Sequence, residues 1–175
     1  MMNRLDNYRE LVARVDELCH KTAAEYSRHL ACKPGCDSCC RHLSLFPVEG
    51  AALVEALHKL PADQAAKIRE KAAAASPDGH CPLLEEGRCL LYTSRPIICR
   101  THGLPLLISN GSNQQVDFCP RNFRDISSLP GSAVIDLDRL NAALTAINAH
   151  FISESGKPDA AERLTMAEAL QRHLG

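Results

Sequence analysis

Eight cysteines crowded between residues 32 and 119 constrain this chain more than any other feature. They are Cys32, Cys36, Cys39, Cys40, Cys81, Cys89, Cys99 and Cys119, with Cys19 alone upstream. A segment this rich in thiols must cross-link them, place them on a metal or bury them. The total of nine is odd, and the first residues, MMNRLDNYRELVARVDEL, are charged throughout. They contain no apolar signal-peptide core, no twin-arginine signal and no transit signal. This predicts a cytoplasmic protein, where thiols stay reduced. Clustered cysteines then read as metal ligands rather than as a disulfide framework.

A length of 175 residues suits a single domain over 1–175, with a cysteine core at about 31–124 flanked by N- and C-terminal helices. The formal net charge is −1, and the chain has no Trp, three Tyr and four Phe. With no basic excess and few stacking platforms, nucleic acid is not an expected partner. No run approaches the roughly 20 apolar residues of a membrane helix, so no membrane partner is expected either.

Hydrophobic spacing predicts helices on both sides of the cysteines. Leu5, Tyr8, Leu11, Val12, Val15, Leu18, Tyr26 and Leu30 recur at helical steps, predicting one long helix over about 3–30. Cys19 sits on that stripe and reads as a small buried hydrophobe. Pro47 suits the first turn of a helix over 47–59, and Pro61 begins another that Ser76-Pro77-Asp78-Gly79 stops. Leu137, Leu140, Leu144, Ile147 and Phe151 predict a later helix capped by Asp136. Ser153–Pro158 breaks it, and a final helix is expected near 160–174. Leu53, Leu57 and Leu60, and the Leu137–Phe151 stripe, read as core packing.

Between these helices, Glu85-Glu86-Gly87 marks a tight hairpin joining Cys81–Leu84 to Arg88–Tyr92. Ser94–Arg100 predicts one helical turn after Pro96. Asn110–Asn113 marks a second hairpin, between Leu104–Ser109 and Gln115–Phe118. The fold class is therefore mainly α, a helical scaffold around a cysteine-rich loop and β-hairpin metal-binding centre.

The chemistry lies in Cys32-Lys-Pro-Gly-Cys36-Asp-Ser-Cys39-Cys40. Thiolates two or three residues apart in a turn can converge, and Pro34-Gly35 favours that turn. Zinc and iron–sulfur centres both take four cysteines. Side chains of the neighbours Cys39 and Cys40 tend to diverge, so one is expected on a first centre and the other on a second centre or in the core. Cys81, Cys89, Cys99 and Cys119 form a second group. Two four-cysteine sites, or one cluster plus structural thiols, fit equally. Lys33, Arg41, Arg88 and Arg100 abut cysteines, and Arg121 is two residues from Cys119. Such cations are expected to offset thiolate charge and lower the cysteine pKa values.

Other residues read more plainly. His42, His80 and His102 are expected as polar loop residues; His20, His29, His58, His150 and His173 are expected on solvated helix faces. Tyr92 is expected to pack beside the site with a free hydroxyl. Arg95 and Arg100 either neutralise thiolates and bond backbone carbonyls, the favoured reading, or receive an anionic substrate. Glu85-Glu86 reads as solvated. No Ser-His-Asp order, phosphate loop or dinucleotide fingerprint is present. Cys32-x₃-Cys36-x₂-Cys39 has the spacing used by radical SAM enzymes, but a long helix precedes it and no alternating strands and helices follow.

CKPGCDSCC followed by HCPLLEEGRCLLYTSRPIICRTHG resembles the YkgJ-type cysteine-cluster family, also called the CxxCxxCC family of zinc- or iron-chelating proteins. The similarity runs from Cys32 to about Cys119 in the order cysteine cluster, HCP, G-x-C-x-x-Y, RPxxCR. The first gap here is three residues instead of two. The resemblance implies metal chelation, and family members are often labelled iron–sulfur oxidoreductases; related flagellin lysine methylases imply methyl transfer as one chemistry.

Three classes follow. One is an iron–sulfur protein with redox or methyl-transfer activity, held by the eight clustered cysteines and served by an unspecified redox or protein partner. The second is a structural Zn²⁺ interaction module. The third is a zinc- or iron-chelating delivery protein. The first is favoured because eight cysteines exceed one zinc site.

Overall fold

A computed structural model of the chain describes residues 3–33, 35–111, 113–156 and 162–172. Helix α1 spans Asp6–Glu25, and a single 3₁₀ turn follows at Ser27–His29. Strand β1 is Ser44–Leu45; α2 is Pro47–His58 and α3 is Ala62–Ala73. The cysteine-rich middle contains β2 (Leu84–Glu85), β3 (Arg88–Cys89), the short α4 (Ile97–Thr101), β4 (Leu106–Asn110) and β5 (Asn113–Asp117). Strand β6 (Ile135–Asp136), α5 (Leu137–Ser155), β7 (Leu164–Thr165) and α6 (Met166–Gln171) complete the order. About half of the chain is helical and the sheets are small, which agrees with a mainly α scaffold. Among the described residues no helix is long and apolar enough to cross a membrane.

Local chemistry explains these elements. Pro47 opens α2, where its missing N–H costs nothing, and the Glu49 carboxylate accepts the Phe46 N–H at 3.0 Å. Asp136 caps α5 as expected, accepting from Arg139 N at 3.0 Å, and Gly156 ends it at φ +64°. Thr165 and Glu168 form a reciprocal capping box on α6. The expected helix over 3–30 stops at Glu25, because the chain tightens into the 3₁₀ turn before Leu30. The expected helix at 160–174 is observed only over Met166–Gln171; 157–161 and 173–175, including His173, lie outside the described residues.

Two apolar clusters hold the fold. The first joins α2, α3 and α6 through Leu53, Leu57, Ile68, Ala169 and Leu170, and reaches the cysteine hairpin through Leu83 and Leu91. The second joins α1, α4 and α5 through Tyr8, Val15, Ile97, Leu140 and Leu144. Each fully buried Leu or Ile contributes about 1.5–3 kcal/mol relative to exposure. Leu53 and Leu57 are wholly buried, so both leucine stripes are core. Cys19 belongs to the second cluster, and burial pushes its thiol up to about 11, with Asp16 adding to the effect. Two pairings were not legible beforehand: β1 with β7, antiparallel, and β4 with β6, parallel, each joining segments remote in sequence.

Candidate metal centre

Two consecutive turns shape the first cysteine segment. Cys36 N–H donates to the Lys33 carbonyl at 2.9 Å, and Cys40 N–H to the Asp37 carbonyl at 2.8 Å. Gly35 adopts φ +89°, a value glycine takes without steric cost. Pro34, expected to support this turn, lies outside the described residues. The loop is then stitched to the HCP segment: Cys81 N–H donates to the Cys40 carbonyl at 3.0 Å, and Arg41 pairs with His80 in an antiparallel bridge.

The hairpin expected at Glu85–Gly87 forms, with Leu84 opposite Cys89 and Glu85 opposite Arg88. Its central residues, Glu86 and Gly87, have φ of +48° and +72°, the positive values a two-residue hairpin turn of this twist needs. The tip rests on the first loop. A Cβ on Gly87 would stand 3.1 Å from Gly35 Cα. Glu85 is engaged by Lys67 and Lys71, which hold its carboxyl below the usual range.

Cys99 rides on α4. The buried Glu49 carboxylate accepts the Ile97 N–H at 3.0 Å at the start of that helix, and Arg95 donates to the Cys99 carbonyl at 3.3 Å. Cys119 follows the second hairpin, in which Asn110 faces Asn113. Behind it, the buried Asn122 carboxamide donates to Cys32 Sγ at 3.4 Å and to the Gly103 carbonyl at 2.8 Å, and accepts from Ala31 N at 2.8 Å.

Seven clustered cysteines, Cys32, Cys36, Cys39, Cys40, Cys81, Cys89 and Cys99, line one cavity of about 640 Å³. Cys119 stands beside Gly103: a Cβ on that glycine would meet Cys32 Sγ at 3.4 Å and Cys119 Cβ at 3.5 Å. Cys32 is exposed and the other seven are half-buried, all as free thiols. Among the described residues, no three Cys, His, Asp or Glu side chains are gathered tightly enough to hold one metal ion as they stand.

The electrostatics correct one expectation. The cysteine pKa values were expected to fall next to cations. Instead burial pushes Cys39 and Cys81 up to about 11 and Cys99 up to about 12, and raises Cys40 and Cys89. Neighbouring thiols add to the rise at Cys39, Cys40, Cys81 and Cys99. Sequence adjacency misjudged the cations. Arg100, with only 6% of its side chain exposed, turns away to Asp16 and to the Thr93 and Arg95 carbonyls. Arg121 reaches Cys36 Sγ at 3.8 Å. Arg95 is the guanidinium that favours charge on Cys40, Cys89 and Cys99, though less strongly than burial opposes it. Lys33, Arg41, Arg88 and Arg95 all line the cavity.

His42 has the structural role expected of a loop histidine. Its Nδ1 donates to the Ser76 carbonyl at 2.8 Å and its Nε2 accepts from Ala167 N at 3.1 Å, so both nitrogens are occupied. His80 and His102 are exposed, and His102 lines the cavity. Tyr92 stands beside the cavity. It is 60% exposed, with Arg95 stacked 3.6 Å above its ring. Glu49, Asp16 and Asn122 were missed. Only the position of Glu49 in the first turn of a Pro-led helix offered a signal, and that signal pointed to a cap rather than to a tie onto α4.

The family model described as "CxxCxxCC: Putative zinc- or iron-chelating domain" matches residues 31–120, the span that carries all eight clustered cysteines. No curated protein and no solved structure matches the chain.

Proposed function

This chain belongs to the CxxCxxCC family of zinc- or iron-chelating domains, and from that premise we propose that Cys32, Cys36, Cys39, Cys40, Cys81, Cys89, Cys99 and Cys119 hold an iron–sulfur centre with a redox or methyl-transfer role. The observation that carries this reading is the cavity of about 640 Å³ with seven of those thiols on its walls. The donor set fits the group: soft sulfur ligands suit zinc and iron–sulfur clusters. Four thiolates on one zinc, each about 2.3 Å from the metal, stand about 3.8 Å apart. A cluster interposes several atoms and accepts thiolates set further apart.

When bound, such a cluster supplies electron transfer at a potential set by its charge, hydrogen bonds and exposure. The chain's own residues govern those conditions. Leu43, Leu83, Leu84, Pro96 and Met166 give the cavity apolar walls that limit water. Lys33, Arg41, Arg88 and Arg95 place positive charge around a thiolate set that carries net negative charge. Asn122 and Arg121 direct N–H groups at Cys32 and Cys36. Because burial keeps most of these thiols protonated without metal, metal uptake releases protons and strengthens as pH rises. Reduced thiols of this kind suit the cytoplasm.

One observation favours a second reading, metal delivery. Cys32 is exposed at the edge of the cavity, where a thiol can exchange metal with a partner. Titration of the anaerobically purified protein with dithionite separates the two. Reversible bleaching of a visible chromophore supports the redox centre. A colourless protein that passes zinc to a chelator within minutes supports delivery and removes the redox role.

A further inference from the structure

We propose that the eight thiols form two separate metal centres, one on Cys32, Cys36, Cys39 and Cys119 and the other on Cys40, Cys81, Cys89 and Cys99, joined by the Cys39–Cys40 peptide bond. This partition rests on the metal-binding reading above.

The first set is built from the loop at 32–39 and the segment that begins at Cys119. Cys32 Sγ and Cys119 Cβ face the same side of Gly103, 3.4 and 3.5 Å from where its Cβ would stand. The residues after Cys119 back the same thiols: Arg121 reaches Cys36 Sγ at 3.8 Å and Asn122 reaches Cys32 Sγ at 3.4 Å. Cys119 is thereby tied to Cys32 and Cys36 although more than 80 residues separate them in the chain.

The second set is built from the other side of the loop. The Cys40 carbonyl accepts the Cys81 N–H at 3.0 Å, and the β2–β3 hairpin returns Cys89 opposite Leu84. Cys81 and Cys89 both pack against the α2–α3–α6 core. Arg95 donates to the Cys99 carbonyl at 3.3 Å, at the wall of the cavity that both sets share.

The two sets meet at the Cys39–Cys40 dipeptide. Neighbouring residues cannot easily present both thiolates to one ion, but each can serve the centre on its own side. Four thiolates per centre satisfy either a Zn²⁺ ion or a cluster.

The test uses the full chain, purified without oxygen, with iron, zinc and sulfide measured per chain and the loaded species counted by native mass spectrometry. Wild type is expected to carry two centres. Cys36→Ala and Cys89→Ala are each expected to lose about half of the metal, and the double variant all of it. A wild type with one centre, or a single variant emptied of all metal, overturns the partition while leaving the metal reading intact. A wild type with no bound metal overturns both. If either variant fails to fold, graded chelation of wild type decides the matter. A half-loaded species supports two centres, and direct passage from fully loaded to empty overturns them.

Discussion

The Glu49 carboxylate accepts the backbone N–H of Ile97 at 3.0 Å, tying the first turn of α2 to the short helix that carries Cys99. Its other oxygen accepts the Phe46 N–H, also at 3.0 Å. Glu49 is 3% exposed, and the Ile97 N–H it serves is buried away from water. Glu49→Ala is expected to cost about 1–3 kcal/mol in urea unfolding, chiefly from the buried Ile97 N–H left unpaired, with the part-buried Phe46 N–H adding less. Glu49→Gln, which keeps one acceptor, is expected to cost less.

Gly103 sits at φ +87°, with Asn122 Nδ2 at 3.2 Å and Cys32 Sγ at 3.4 Å from where a Cβ would be. Gly103→Ala therefore combines a strained backbone with a tight contact on Asn122 Nδ2. The backbone alone is expected to cost about 1–3 kcal/mol. A thiol-reactive dye is expected to label Cys32 faster in this variant than in wild type, because the shift of Asn122 weakens its hydrogen bond to Cys32 Sγ.

Arg100 Nη1 donates to both carboxylate oxygens of Asp16 while the Arg100 side chain is only 6% exposed. Asp16→Ala leaves that guanidinium without a carboxylate. Asp16 is itself 34% exposed, so water moderates the loss, expected at about 1–3 kcal/mol in denaturant unfolding. Arg100→Lys is not expected to be neutral, because Lys cannot reproduce the planar fork that also serves the Thr93 and Arg95 carbonyls.

Cys19 and Tyr8 give the fold an alkaline limit. Burial, then Asp16, raises Cys19 from 9.0 to about 11, and burial, then Glu49, raises Tyr8 above its ordinary range. The native state keeps protons that the unfolded chain releases, so stability falls as pH rises from about 9 through about 11. Denaturant unfolding at stepped pH is expected to show that decline. Cys19→Ala is expected to lessen it and to leave metal content unchanged, since Cys19 belongs to the α1–α4–α5 core. Loss of metal from that variant would contradict the core assignment.

The sequence made the local features legible and left the long-range ones hidden. Pro47, Asp136 and Glu86-Gly87 act through residues within a few positions, so their turn and cap chemistry could be read directly. The grouping of eight cysteines was also plain. Their electrostatics were not, because adjacency in sequence says nothing of where a long side chain points: Arg100 abuts Cys99 yet turns to Asp16. The ties from Glu49 to Ile97 and from Asn122 to Cys32 span 48 and 90 residues, and no short pattern encodes them.

The most direct test of the central claim is a visible absorption spectrum of anaerobically purified protein, with iron, zinc and acid-labile sulfide measured on the same sample. The iron–sulfur reading predicts a brown protein with broad visible absorption and matching iron and sulfide. A colourless protein with stoichiometric zinc and no sulfide would contradict it.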